Sequence, residues 1–377
     1  MPCSFPIAAR AALRLAVSVG AAAVAAAPLS GVWAQSRTDT IALTGQTAPG
    51  LEGGQFSAFT SISQTLNNDG RLAFRADVTG SSSTSGIFLG GGFLEAVVRQ
   101  GRPAPLGGST SGTFSGFSND PQLNSAGQVA FRGSVIGSSS AEGVFLGSGS
   151  SVSSIARAGA AAPGTSGFAD GTFASFTAPP RLNDVGQVAF KAAVTGSPSS
   201  PSGIFLGNAT STTAVARGGD TAPGTSGLTF GNLADTIPAE VNNAGQVLFI
   251  PFGPEAIYLV PGGNQGLIAK QGDPAPFPPG GFFVNFGQFA GVNNSDGGQV
   301  AFFSGNGGSG SDRIVLSTRG ALASLAYSGQ SAPGGGTLFA LSDPRLNASG
   351  QAAFVNRNPD AGLTNAEGLY VASAAML

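Results

Sequence analysis

The side chains most often used for nucleophilic and acid–base chemistry are scarce in this chain of 377 residues. It has no histidine, one cysteine, and 17 Lys and Arg against 19 Asp and Glu. The cysteine is Cys3 and the lysines are Lys191 and Lys270. Without histidine there is no Ser-His or Cys-His pair and no His-ligated zinc, so no metal or cofactor is expected. Carboxylates remain. Asp220 and Asp273 occupy matching places, each shortly before an Ala-Pro pair, and Glu255 closes an atypical stretch that begins at Pro251. Two acids held ~5–10 Å apart could hydrolyse a glycosidic bond, whereas single loop acids are more simply solvated. Asp120 and Asp343 each precede a proline, which is turn chemistry.

The basic residues make a stronger pattern. Arg99, Arg157, Arg217 and Lys270 fall in one slot of a repeated unit, and Leu43 and Tyr327 fill that slot elsewhere. Guanidinium forks suit carboxylate and sulfate, so these residues, with Asp220, Asp273 and Glu255, are the candidate ligand-binding set. The competing reading is that an edge strand carries cations to discourage edge-to-edge pairing.

A repeat must position these residues. The string Asn-x-x-Gly-x-x-Ala-Phe occurs at Asn67–Phe74, Asn124–Phe131, Asn183–Phe190 and Asn347–Phe354, with variants ending at Phe249 and Phe302. The motif glycines Gly70, Gly127, Gly186, Gly245, Gly298 and Gly350 are 57, 59, 59, 53 and 52 residues apart. Asn opening a turn and Gly three residues later predict a tight hairpin. A calcium loop is the alternative at Asn67-Asn68-Asp69-Gly70, but Asn124-Ser125-Ala126-Gly127 offers no carboxylate, so the turn is preferred. After the glycine, Val129, Phe131, Gly133 and Val135 alternate with Gln128, Ala130 and Arg132, the period of a strand. Apolar triplets follow, such as Ile87-Phe88-Leu89, Ile257-Tyr258-Leu259 and Leu369-Tyr370-Val371, and predict third strands buried on both faces. The basic slot ends a fourth strand. Loops after the second and fourth strands should then share one face, the better place for ligand contact.

Arg10 and Arg14, the apolar run Leu15 to Pro28 and the small residues around Val32-Trp33-Ala34 predict a signal peptide over residues 1–34. Its removal takes away Cys3 and Trp33 and leaves residues 35–377 as a single domain. Ile41-Ala42-Leu43-Thr44 matches a fourth strand, while the last copy stops after its third strand at Val371. The expected fold is therefore all-β: a six-bladed β-propeller of four-stranded antiparallel blades, with the N-terminal strand closing the last blade.

These tandem copies span nearly all of residues 35–377 and resemble a family of exported bacterial repeat proteins with variable C-terminal anchors. The resemblance implies export and a repeat fold, and it brings no catalytic residues. The expected function is a non-catalytic exported binding or surface/matrix module, with a carboxylate-dependent glycosidase or lyase as the alternative. An extracellular glycan or cell-surface component is the expected partner, bound by a monomer with no membrane span after signal cleavage. A nucleic-acid partner is excluded, because only 10% of residues are charged and acids outnumber bases. A Trp-stacking lectin does not fit either, since only Tyr258, Tyr327 and Tyr370 join the phenylalanines beyond residue 34.

Overall fold

The structure is a computed structural model that describes residues 38–105, 112–164, 171–197, 201–234, 239–251, 255–260, 266–276, 281–292, 298–305, 312–333, 336–357 and 367–374. The signal segment lies outside these residues, as do parts of the loops after Thr195, Pro251 and Pro276.

The described residues fold into six antiparallel sheets, taken here in chain order as sheets 1 to 6. Sheet 1 runs through Gln55–Leu66, Leu72–Thr79, Ser85–Gly90 and Glu95–Arg99 in that order. Sheet 2 has the same order, with a first strand broken into Thr113–Phe117 and Gln122–Leu123, then Gln128–Ile136, Glu142–Ser148 and Ser151–Arg157. Sheet 3 repeats it with Gly171–Phe176 and Arg181–Leu182, Val188–Thr195, Ser202–Gly207 and Thr212–Arg217, plus the short Ala161–Ala162. Sheet 4 (Glu240–Val241 to Leu267–Lys270) and sheet 5 (Phe286–Val292 to Ala321–Tyr327) are four-stranded. Sheet 6 pairs Ala340–Leu341 and Arg345–Leu346 with Gln351–Arg357, and that strand with Glu367–Ser373.

In sheets 1 to 4 and 6 the Asn-x-x-Gly motif is the hairpin between first and second strands. The motif Asn carbonyl accepts the glycine N–H at 3.0 Å for Asn67–Gly70 and 3.1 Å for Asn124–Gly127. Gly70, Gly127, Gly186, Gly245, Gly298 and Gly350 all take positive φ, between 59° and 82°, which glycine adopts without steric cost. The pairing of third with fourth strand carries a β-bulge at one place in five sheets, after Ile87, Val144, Ile204, Ile257 and Ile314.

The core lies between sheets. Ala73, Ile87, Leu89, Val97 and Val98 of sheet 1 pack on Phe114, Phe117, Leu123, Phe131 and Phe145 of sheet 2. Equivalent apolar clusters join sheets 2 and 3, 3 and 4, 4 and 5, and 5 and 6. Within sheets 1, 2 and 3 one phenylalanine pairing recurs: Phe56, Phe114 and Phe173 meet Phe88, Phe145 and Phe205 edge-on at 4.8, 4.8 and 4.9 Å between centroids. The third strands of sheets 1 to 5 are buried on both faces as expected, Ile87 and Ile314 being 0% exposed.

Sheet 6 corrects two expectations. The pairing of Ile41–Thr44 with Leu369–Val371 is not formed: Glu367–Ser373 pairs with Gln351–Arg357, and Ile41–Thr44 joins no sheet. The third-strand burial also fails there, with Leu369 77% and Val371 65% exposed. The physical reason is where residues 41–51 go. Ile41 and Ala42 pack with Ala48, Leu51 and Phe56 against the outer face of sheet 1, and the chain then turns tightly, Gln46 donating its N–H to the Leu43 carbonyl at 3.2 Å. The N-terminal strand thus does not complete the last sheet, and each of the six sheets packs on the next in chain order.

Candidate functional site

The basic slot is one register position. Arg99, Arg157, Arg217 and Lys270 oppose Gly86, Gly143, Gly203 and Ala256 across the third strand, and Tyr327 opposes Arg313. Behind each begins the same connector to the next sheet. The residue three places on donates its N–H to the slot carbonyl at 3.0–3.3 Å in all six copies, from Gln46 to Gln330. The intervening glycine, from Gly45 to Gly329, donates at 2.7–2.9 Å to a carbonyl further along, in the first strand of sheets 1 to 3 (Phe56, Phe114, Phe173) and ahead of it in sheets 4 to 6 (Phe230, Phe283, Leu338).

This connector accounts for the candidate acids. Asp220 Oδ2 accepts the Arg217 N–H at 2.8 Å, and Asp273 Oδ2 accepts the Lys270 N–H at 3.0 Å. Gln46 and Gln330 do the same for Leu43 at 3.0 Å and Tyr327 at 3.2 Å. A carboxylate and an amide carbonyl thus serve one backbone donor, as an Asx-type cap does. Asp273 Oδ1 also accepts from Lys270 Nζ at 2.7 Å. Glu255 is exposed just before the third strand of sheet 4, its backbone carbonyl accepting the Gln271 N–H at 2.8 Å.

The cations share a register but not an environment. Arg99 is exposed and Arg157 half-buried. Arg217 is 0% exposed. It lies over the Phe205 ring at 5.8 Å, and its Nη1 donates to the Pro163 carbonyl at 2.8 Å. Gly203 makes that possible, because a Cβ there would stand 2.7 Å from Arg217 Cδ. The structure therefore leaves Arg217 inside the protein and spreads the other three over differing exposures.

Arg157 opens onto a groove of about 480 Å³ between sheets 2 and 3, lined also by Val152, Ser153, Ser154, Phe173 and Thr212. The hydroxyl-rich fourth strands, Ser-Val-Ser-Ser in Ser151–Arg157 and Thr-Thr in Thr212–Arg217, are the only sequence signal for it. The loops after second and fourth strands are neighbours as expected: Ser83 Oγ donates to the Gln100 carbonyl at 2.6 Å and Ser140 Oγ to the Ala158 carbonyl at 2.8 Å. No group of three or more metal-ligating side chains occurs among the described residues.

The motif turns hold a feature that sequence reading missed. Asn124 Nδ2 donates to the Asn183 carbonyl of the next copy at 2.9 Å, and Asn183 Nδ2 to the Asn242 carbonyl at 2.8 Å. Each of these asparagines also donates to the Gln four residues on, Gln128 and Gln187, at 2.8 Å. Beside them Asp184 bridges Ser125 and Asn243, accepting from Ser125 Oγ at 2.6 Å and from Asn243 Nδ2 at 3.2 Å. Burial pushes the Asp184 carboxyl up, but the Ser125 and Asn243 hydrogen bonds outweigh it and hold it below its ordinary value.

A family described as a family of unknown function, DUF7453, matches residues 11–200 and again 194–376. The chain belongs to the DUF7453 family. The two successive matches agree with tandem repetition. No curated protein matches this DUF7453 chain. Among solved structures it is similar to the Hadza microbial sialidase Hz136, at 11% identity and a TM-score of 0.34, covering 79% of this chain and 63% of that one. It thus spans less than two thirds of the sialidase chain. It is also similar to an α-L-arabinanase of Penicillium chrysogenum complexed with arabinobiose, at 12% identity and a TM-score of 0.33, covering 89% and 98% of the two chains. A PQQ-bound aldose sugar dehydrogenase of Streptomyces coelicolor is matched at 10% identity and a TM-score of 0.25, covering 72% and 99%.

Proposed function

We propose that this chain is a non-catalytic, exported binding or surface/matrix module, and that the groove beside Arg157 receives an acidic segment of an extracellular glycan. Export rests on the signal pattern of residues 1–34, whose removal leaves a chain without cysteine or tryptophan. The scaffold is read as propeller-type blades, one per repeat, a reading supported by four-stranded antiparallel sheets stacked face to face.

The observation that carries the non-catalytic reading is the fate of the repeat acids. Asp220 and Asp273 cap backbone N–H groups in a connector where glutamine does the same work in two other copies. An acid that an amide can replace in that role is a structural part. The groove brings one guanidinium, three hydroxyl side chains and one aromatic edge to the same opening, a mixture suited to a carboxylated or sulfated sugar.

Binding of the purified chain to a panel of acidic and neutral polysaccharides, with turnover followed in the same samples, tests this. The expected result is binding of acidic polymers without new reducing ends, weakened about tenfold, or ~1.4 kcal/mol, by Arg157→Gln and left unchanged by Arg99→Gln. Release of new ends, abolished by Glu255→Gln, would establish the second reading, a carboxylate-dependent polysaccharide enzyme. That reading is supported by the exposed Glu255, which caps none of the recurring connector turns.

A further inference from the structure

The repeated packing between sheets specifies what each uncovered terminal face lacks. A fourth strand rests on the third strand of the sheet that follows it. A Cβ on Gly147 would stand 2.3 Å from Val97 Cγ1, and one on Gly207 would stand 2.8 Å from Ile155 Cγ2. Ile41 repeats that contact on sheet 1, where a Cβ on Gly90 would stand 2.3 Å from its Cγ2. Residues 41–43 therefore sit on sheet 1 as a fourth strand does, yet they pair with no third strand.

Sheet 6 is the converse. Its third strand, Glu367–Ser373, pairs on one side with Gln351–Arg357, and no fourth strand joins it among the described residues. Leu369 and Val371 correspond to Ile87 and Leu89, which pack onto the following sheet and are 0% and 1% exposed. Leu369 and Val371 are 77% and 65% exposed. The facing side of sheet 1 is uncovered in the matching places. Leu66 is 64% and Phe59 40% exposed, where Leu123 is 4% and Phe117 8%.

We propose that the chain self-associates head to tail. Residues 41–43 of one copy add as a fourth strand to Glu367–Ser373 of the next, and Phe59 and Leu66 of the first close over Leu369 and Val371 of the second. An unpaired edge with an apolar face is a template for such addition. The occupant is a second copy because the five intact interfaces are close-packed, with phenylalanines at each of them, and such packings do not deform continuously. With all five formed, both faces of a single chain remain open, and a second copy meets them without disturbing any of the five. The contact is heterologous, so it builds larger rings or filaments rather than a symmetric pair. This replaces the expected monomer and does not depend on the groove or its ligand.

Sedimentation velocity of the purified chain over a wide concentration range tests the proposal. The weight-average mass should rise with concentration to at least twice that of one chain. The variant carrying Leu369→Glu and Val371→Glu, and separately Leu66→Glu, should each remain monomeric, with unchanged far-ultraviolet dichroism because the replaced side chains already face solvent. Mixing the two variants should give a species of two chains and no larger, since each retains one intact face. A wild-type chain that stays monomeric at every concentration would overturn the proposal. So would mixed variants that fail to associate, or a disulfide formed within single chains by Ala42→Cys with Leu369→Cys, the places of Val98 and Ile87 in sheet 1, in a Cys3→Ser background.

Discussion

The motif turns and the fourth-strand slot both recur along the chain, yet they behave differently. In the turns of sheets 2 and 3, the same residue makes the same bonds: Asn124 and Asn183 each reach the next copy's carbonyl and their own Gln four residues on, while Asn67 of sheet 1 leaves its Nδ2 unpaired. In the slot, similar residues at one register diverge, from exposed Arg99 to Arg217 at 0% exposure. A turn presents its partners by its own backbone geometry, so recurrence of residues brings recurrence of contacts. A strand end takes its surroundings from the adjoining loop, and the loop lengths vary between copies.

The largest effect should come from the turns. Asn183→Ala removes two donated bonds and the acceptor for the Gln187 N–H at 2.7 Å from a buried site. It should cost about 3 kcal/mol in denaturant unfolding. Asn347→Ala, in an exposed copy of the same turn, should cost under ~1 kcal/mol, and equal losses would mean that burial of the turn does not matter. Arg217→Ala should destabilise by about 2 kcal/mol through lost packing and the Pro163 bond, against ~0.5 kcal/mol or less for Arg99→Ala. Gly203→Ala should cost about 1–2 kcal/mol by crowding Arg217 and Phe205, measured as a shift in thermal midpoint.

The smallest effect is a pH dependence. The folded Asp184 carboxyl lies below its ordinary value, so its contribution is present above the unfolded value of about 3.9 and is lost as pH falls through the folded value. Because Asp184 is partly solvated, the change should be under ~1 kcal/mol, and Asp184→Asn should flatten that part of the stability curve.

Much of the fold was legible because the repeat encodes it twice, in the alternation Val129, Phe131, Val135 and in the Asn-x-x-Gly turns, and both are local. The bulge after Ile87 and its counterparts was not legible, since it depends on how two strands meet across a sheet. Nor was the unformed pair between the two ends of the chain: complementary patterns state that two segments could pair, whereas the packing of Ile41 on sheet 1 decides where the first one goes. At the candidate site, the slot register was legible and its chemistry was not. In sequence Asp220 and Asp273 are loop acids, and their backbone donors, three residues earlier, are brought to them only by the folded connector.

The asparagine links also give the repeat array a direction. Two amides are donated forward, from Asn124 to Asn183 and from Asn183 to Asn242. Cutting the chain after a given turn would strand a buried donor on the retained piece. Cutting before one would merely free a carbonyl lone pair, which water can take up. Fragments that keep the later copies should therefore survive truncation better than fragments that keep the earlier ones.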